Sequence, residues 1–224
     1  MKHLKLFAAA GLIILTAAGC KKTTYDPPPV ISAVSFYNVS PDAPPVSIYL
    51  NTNKIQYDSL LYKGNIDYVN AYSGTREVSA YRNNEKKIFK SINFAEGKFY
   101  SVFLTGNWST AEFVSLDDSL TRPAVGKANI RFVNMSIGSP TLDLGLNTGT
   151  TLIAGRVYKA NSAFTAIDGD KQYTFVVREH GTTVNKVTIP SVNIIAGHSY
   201  TIWARGIYTA TDGAALGADI VRNY

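Results

Sequence analysis

Val34 to Asn51 reads VSFYNVSPDAPPVSIYLN, and Ile130 to Asn147 reads IRFVNMSIGSPTLDLGLN. The two stretches align without a gap, with Phe36/Phe132, Asn38/Asn134, Ser40/Ser136, Pro44/Pro140, Leu50/Leu146 and Asn51/Asn147 identical. Working outward, a second pair follows: Ile92 to Gly106 (INFAEGKFYSVFLTG) against Val192 to Gly206 (VNIIAGHSYTIWARG). A third and shorter pair sets Ala111–Val114 against Ala218–Val221, after a longer loop in the second copy. Self-similarity recurring in the same order marks one structural unit present twice.

Each copy alternates apolar and polar residues with period two, the pattern of strands buried on one face. Val34, Phe36 and Asn38 share a face; so do Val46, Ile48 and Leu50, and Leu142, Leu144 and Leu146 repeat that face. Tyr100, Val102 and Leu104 correspond to Tyr200, Ile202 and Ala204. Further strands are expected at Tyr68–Tyr72, Glu77–Arg82, Ile88–Phe94, Ala163–Ile167, Tyr173–Glu179 and Val184–Ile189. Turn-forming residues separate them, as in Ser40-Pro41-Asp42, Ser73-Gly74, Asn83-Asn84, Asp168-Gly169-Asp170 and His180-Gly181. The expected fold is all-β: two tandem immunoglobulin-like antiparallel β-sandwich domains over 31–117 and 127–224, joined by 118–126 (DSLTRPAVG). No helix is expected beyond the first twenty or so residues.

Two details recur in both copies. Gly97-x-x-Tyr100 and Gly197-x-x-Tyr200 place a tyrosine just after a glycine turn. The expected arrangement is a buried ring whose hydroxyl reaches back to an upstream backbone group, as in a tyrosine corner. Asn38 and Asn134 lie on the apolar face. A buried amide must find partners, and the adjacent turn is the expected source.

Composition sets the class. Apolar residues make up 46% and charged residues 17%, which excludes a disordered chain. A formal charge of +6 with no basic stripe argues against nucleic acid. One cysteine excludes an internal disulfide framework and a multi-cysteine zinc site. Residues 1–19 read as an export signal, with Lys2 and Lys5 ahead of the apolar run LFAAAGLIIL. Ala17-Ala18-Gly19 followed by Cys20 resembles a bacterial lipobox, although Ala17 stands where such signals usually carry Leu. The resemblance implies cleavage before Cys20 and acylation of that residue, a covalent anchor in which each buried methylene adds about 0.8 kcal/mol. Residues 20–30, with KKTTYDPPP from Lys21, form a Pro-rich tether. The expected localisation is the cell envelope, lipid-anchored at the outer membrane on its periplasmic or surface face.

Little in the chain looks catalytic. No G-x-S-x-G or H-E-x-x-H pattern occurs. Asp117-Asp118 and Asp168-Gly169-Asp170 are the tight acidic pairs, and the second is a hairpin turn by its residue types rather than a calcium site. His180 and His198 are isolated in the sequence. No catalytic residue, metal or cofactor is assigned. Tyrosine is in excess, with 14 residues. Tyr37 and Tyr49 fall on the strand faces opposite Phe36 and Ile48, and with Trp108 at a hairpin tip they are the candidate ligand-binding residues. The competing reading buries these aromatics between the domains. Val133 and Gly145 occupy the equivalent places in the second copy, so the patch is not repeated.

The segment Phe36–Tyr49, FYNVSPDAPPVSIY, resembles the domain of unknown function 4397 family, whose members open on a strand followed by N-x-S-P-D-A-P-x-V. The second copy departs from it, with Ile137-Gly138-Ser139 in place of Pro41-Asp42-Ala43. The resemblance implies an exported, often lipid-anchored sandwich protein of Bacteroidetes type, and it carries no activity or ligand. The functional expectation is a non-catalytic binding or adhesion module for an envelope protein or glycan. The alternatives are a structural spacer without a small ligand and a hydrolase, which would need two facing acids in a cleft.

Overall fold

A computed structural model describes residues 29–223; the export segment, Cys20 and most of the tether lie outside the described residues. The first unit contains β1 (Ile31–Asn38), β2 (Ser47–Leu50), β3 (Asn53–Lys54), β4 (Asn65–Tyr72), β5 (Gly74–Arg82), β6 (Glu85–Phe94), β7 (Phe99–Thr105) and β8 (Glu112–Asp117). The second contains β9 (Lys127–Asn134), β10 (Leu142–Leu146), β11 (Thr151–Arg156), β12 (Thr165–Asp168), β13 (Lys171–Glu179), β14 (Asn185–Ile194), β15 (Ser199–Arg205) and β16 (Gly217–Arg222). A single 3-10 turn over Trp108–Thr110 is the one helical segment among the described residues.

Each unit is a sandwich of two four-stranded sheets. The first pairs β3-β2-β5-β6 with β4-β1-β7-β8, and the second pairs β11-β10-β13-β14 with β12-β9-β15-β16. The orders correspond strand for strand, so the all-β fold and the sequence repeat describe the same two-unit architecture. Three features go beyond the alternation pattern. β1 runs parallel to β7, and β9 parallel to β15, within otherwise antiparallel sheets. Period-two alternation reports which face is buried, not which way a neighbour runs. β3 has no apolar residue, and β11 carries its apolar residues as a run, Leu152-Ile153-Ala154, rather than in alternation. Finally, Phe103 faces Val114 while Trp203 faces Asp219, so the last strands correspond two residues away from the alignment of Ala111–Val114 with Ala218–Val221. A two-residue slip keeps every side chain on the same face, which is why the sequence pattern tolerates it.

The repeated details form as the local chemistry requires. The Tyr100 hydroxyl accepts from the Ala95 N–H at 3.0 Å, and the Tyr200 hydroxyl from the Ile195 N–H at 3.0 Å. Gly97 and Gly197 take φ of 68° and 81°, a region open to glycine at little cost. The Asn38 and Asn134 carbonyls accept from the N–H groups of Ser40 and Ser136, and their amides donate to the Leu60 and Arg156 carbonyls.

Two apolar cores lie inside the sandwiches, one around Phe36, Ile48, Phe94 and Val102, the other around Phe132, Leu144, Phe175 and Ile202. A third lies between them, built from Tyr37, Val39, Phe103 and Leu116 of the first unit and Val133, Met135 and Trp203 of the second. Tyr37, Phe103, Val133 and Trp203 alternate with the core residues along β1, β7, β9 and β15. The sheets β4-β1-β7-β8 and β12-β9-β15-β16 are therefore covered on both faces, and the molecule is a stack of four sheets. Tyr37 stacks on Phe103 at 4.7 Å between centroids and meets Trp203 edge-on at 5.0 Å. At about 25 cal/mol per Å², a ring burying about 150–250 Å² contributes on the order of 4–6 kcal/mol before the cost of ordering it.

The same layer holds a buried ion pair. Arg131 and Asp118 are 1% and 0% exposed, with Nη2 to Oδ1 at 2.5 Å. Ser101 receives a second contact from Arg131 at 3.0 Å and donates to Asp118 at 3.0 Å. Arg131 Nε donates to Thr201 at 2.8 Å, Thr201 to Asn223 at 2.6 Å, and Asn223 to the Tyr68 hydroxyl at 3.1 Å. Tyr68 closes the ring by donating to Asp118. Two desolvated charges are tolerable only when their remaining hydrogen-bonding capacity is filled this way. Asp118→Ala should cost about 3–5 kcal/mol in urea unfolding, because it strands the Arg131 charge. Joint Asp118→Leu and Arg131→Met replacement should cost less than either single change.

Candidate functional site

Among the sequence-selected residues, Tyr37 is 2% exposed and lies in the layer between the units, so it forms no surface patch with Tyr49 and Trp108. The alternation correctly assigned it to the face opposite Phe36, but the second unit covers that face. Burial pushes its hydroxyl up to about 12. Tyr49 lies on the outer face of the sheet β3-β2-β5-β6. Trp108 packs its ring partly against the first core, from the loop between β7 and β8. Cys20 lies outside the described residues.

The outer face of that sheet is aromatic. Register places Tyr49 beside Ser79 and Ser79 beside Phe89, and Ser47 beside Tyr81 and Tyr81 beside Lys86. The Tyr49 and Tyr81 rings lie 4.4 Å apart, tilted by 43°. Phe89 is 65% exposed. Lys86 lies 5.5 Å over the Phe89 ring while its Nζ pairs with Glu77 at 2.6 Å. At the β6 edge the face turns into an open groove of about 500 Å³, lined by Arg82, Lys87, Ile88, Phe89, Trp108, Ser109 and Ala111. Phe89 belongs to both surfaces. The lining includes no carboxylate and no histidine.

The SPDAP turn positions the groove wall. Asp42 accepts from the Trp108 backbone N–H at 2.7 Å, and Ser40 donates to the Gly106 carbonyl at 2.6 Å. Lys90 donates to the Phe113 carbonyl at 2.8 Å, tying the β6 edge to β8. Ser136 makes the same contact to the Gly206 carbonyl in the second copy, so Asp42 is the part of this wall that distinguishes the first.

The second unit provides an internal comparison. In register, Gly145 replaces Tyr49, Arg178 replaces Tyr81 and Thr188 replaces Phe89. The Arg178 guanidinium lies across Gly145 and donates to the Leu146 and Gly149 carbonyls at 2.8 and 3.2 Å, with Nε on Asn185 at 2.8 Å. That face satisfies itself. On the face of Tyr49, Tyr81 and Phe89 the rings meet each other and Lys86 instead, and Phe89 stays 65% exposed.

Sequence reasoning passed over Tyr81, Arg82 and Phe89. The signal was present: Phe89 sits at an outward position of a strand whose inward residues are Ile88, Ile92 and Phe94. The acidic pairs have structural roles. Asp168 takes Lys127 and Lys171 at 2.6 Å each, which holds its carboxyl down to about 2. Asp170 accepts from the Ala196 N–H at 3.0 Å. His180 meets Asp143 at 2.9 Å. Among the described residues no group of three or more His, Cys, Asp or Glu could hold a metal, and no helix is long and apolar enough to cross a membrane.

Fold and surface together define a two-unit β-sandwich protein whose first unit carries Tyr49, Tyr81 and Phe89 on an outer sheet face. The chain belongs to the family described as Domain of unknown function (DUF4397), whose match runs over residues 32–145. The match spans the whole first sandwich and continues to β10 of the second. No curated protein matches. Among solved structures the chain is similar to CBMbc (family CBM26) from Eubacterium rectale Amy13K, crystallised in complex with maltoheptaose. The identity is 11%, 86% of this chain and 95% of that chain are covered, and the TM-score is 0.28.

Burial also raises Tyr68, helped by the Asp118 carboxylate. Both tyrosines therefore keep their protons in the folded chain at a pH where the unfolded chain, with the ordinary value of 10.0, loses them. The stability they provide is whole below about pH 10 and falls as pH rises toward 12. Alkaline unfolding followed by circular dichroism should steepen across that window, and Tyr37→Phe should flatten it.

Proposed function

We propose that this chain is a non-catalytic binding module of the cell envelope, held to a membrane through lipid on Cys20, that recognises a glycan or a protein with the outer face of its first sandwich. The observation that carries the reading is the contrast between the units. They share topology strand for strand, yet only the first sets Tyr49, Tyr81 and Phe89 on a face open to water. Leaving a phenylalanine ring mostly in water forgoes hydrophobic stabilisation, and aromatic side chains so placed supply the hot spots of binding surfaces. The strands beneath hold the rings in fixed geometry, which lowers the ordering cost on binding. The export signal, the small residues before Cys20 and the Pro-rich tether support the anchor, and the outer membrane is the location we assign.

A second reading, a rigid envelope spacer, is favoured by the apolar layer and buried ion pair that lock the two units together. The two readings part at Phe89. In a screen of glycans and envelope proteins, Phe89→Ala should weaken the bound ligand at least tenfold while leaving the unfolding midpoint unchanged. A spacer would show no ligand at all. For the anchor, Cys20→Ser should move the chain from the membrane to the soluble fraction, and mass spectrometry of the native chain should show an acylated amino terminus.

A further inference from the structure

The corner formed by the β5–β6 hairpin and the loop after β7 exists in both units, and in the second it is closed from within. Glu179, Lys186 and Tyr208 meet there: Glu179 accepts from Lys186 Nζ at 2.7 Å and from the Tyr208 hydroxyl, and Lys186 lies 5.6 Å from the Tyr208 ring. Strand register makes Glu179 the counterpart of Arg82 and Lys186 the counterpart of Lys87. Tyr208 follows Gly206 as Trp108 follows Gly106. The first unit therefore keeps the cation and the aromatic ring but replaces the carboxylate that joined them with an arginine.

The consequences are steric and electrostatic. Without the internal ion pair the corner opens into the groove of about 500 Å³, within the range of about 300–1,000 Å³ typical of small-molecule sites. The Arg82 side chain has no hydrogen-bond or ion-pair partner among the described residues. Lys87 is held only by Glu85 at 2.5 Å, whose side chain is 69% exposed and outside the groove lining. Two cations and two aromatic rings thus line a hollow whose lining has no counterpart of the Glu179 carboxylate. We infer that this groove binds an anionic saccharide, with a sugar ring laid against Phe89 and Trp108 and its carboxylate received by Arg82 and Lys87.

The inference rests on the binding-face reading above and names the ligand chemistry of that face. A saccharide fits the groove better than an acidic peptide. The hollow is shallow and open, with Ile88 and Ala111 among its lining rather than a deep apolar hole for a side chain. A sugar supplies flat patches of C–H groups to the exposed rings while its hydroxyls stay in water. The guanidinium offers the planar pair of donors that a carboxylate accepts.

The test measures binding of the full-length chain to tetragalacturonate, to its methyl ester and to an oligoglutamate by calorimetry. The acid should bind at least tenfold more tightly than the ester, and added salt should narrow the gap. Arg82→Ala should abolish the difference, Arg82→Lys should restore part of it, and Phe89→Ala should weaken acid and ester alike. Equal binding of acid and ester, still lowered by Phe89→Ala, overturns the anionic specificity and leaves the binding face standing. Oligoglutamate binding as tight as tetragalacturonate assigns the groove to a peptide instead. Binding of neither saccharide overturns the inference. Phe89→Ala without effect on any ligand found in the screen would remove the face itself.

Discussion

The Arg131–Asp118 pair sits where two sheets from different sandwiches meet, and much of the molecule follows from keeping it dry and fully partnered. Its carboxylate comes from the residue after β8 and its guanidinium from β9, so the short join between the units is clamped at both ends. Around the pair, Tyr37, Phe103, Met135 and Trp203 exclude water, and Ser101, Thr201, Asn223 and Tyr68 fill the remaining hydrogen-bonding positions. At the far edge Arg205, paired with Asp219, lies 5.5 Å from the Tyr62 ring, and Lys159 pairs with Glu112 across the units. The apolar layer supplies attraction, and the polar network restricts the relative orientation in which both units can be satisfied.

That clamp assigns roles to the sheet faces. Each sandwich presents two outer faces. The interface uses the β4-β1-β7-β8 face of the first unit and the corresponding face of the second, a self-complementary arrangement like that of a two-fold dimer. Because one face of each unit is occupied by its partner, the faces of β3-β2-β5-β6 and β11-β10-β13-β14 remain toward water. There the copies have diverged. Arg178 locks down the second face, while the first carries Tyr49 packed on Tyr81, a mostly exposed Phe89 and an arginine without a partner. Duplication has left one unit with a self-satisfied surface and the other with an unsatisfied one, and the functional reading follows from that difference.

Much of the fold could be read from residues alone because strand burial writes itself into alternation. Val34, Phe36 and Leu104 announced inward faces, and Gly97-x-x-Tyr100 and its repeat announced the tyrosine corners. The candidate site was harder to read. Tyr37 and Tyr49 look alike in sequence, each outward on its strand beside an inward Phe36 or Ile48. One is buried under a second sandwich and the other is half-buried against Tyr81 on an outer face. Phe89 showed only its outward position on the strand, and Arg82 no mark at all, among the charged residues of the β5–β6 hairpin. Only the comparison in register with Thr188 and Glu179 shows that Arg82 stands where the second unit has the carboxylate that joins Lys186 to Tyr208.

The sequence by itself determined the two-unit β architecture, its turns and its lack of a disulfide framework, because these depend on local periodicity, residue type and neighbours along the chain. The tertiary structure decided strand direction, the stack of four sheets and which aromatic rings remain in water. Those outcomes depend on contacts between residues far apart in the chain, and a period-two pattern states that a side chain leaves its sheet without stating what it meets on the other side.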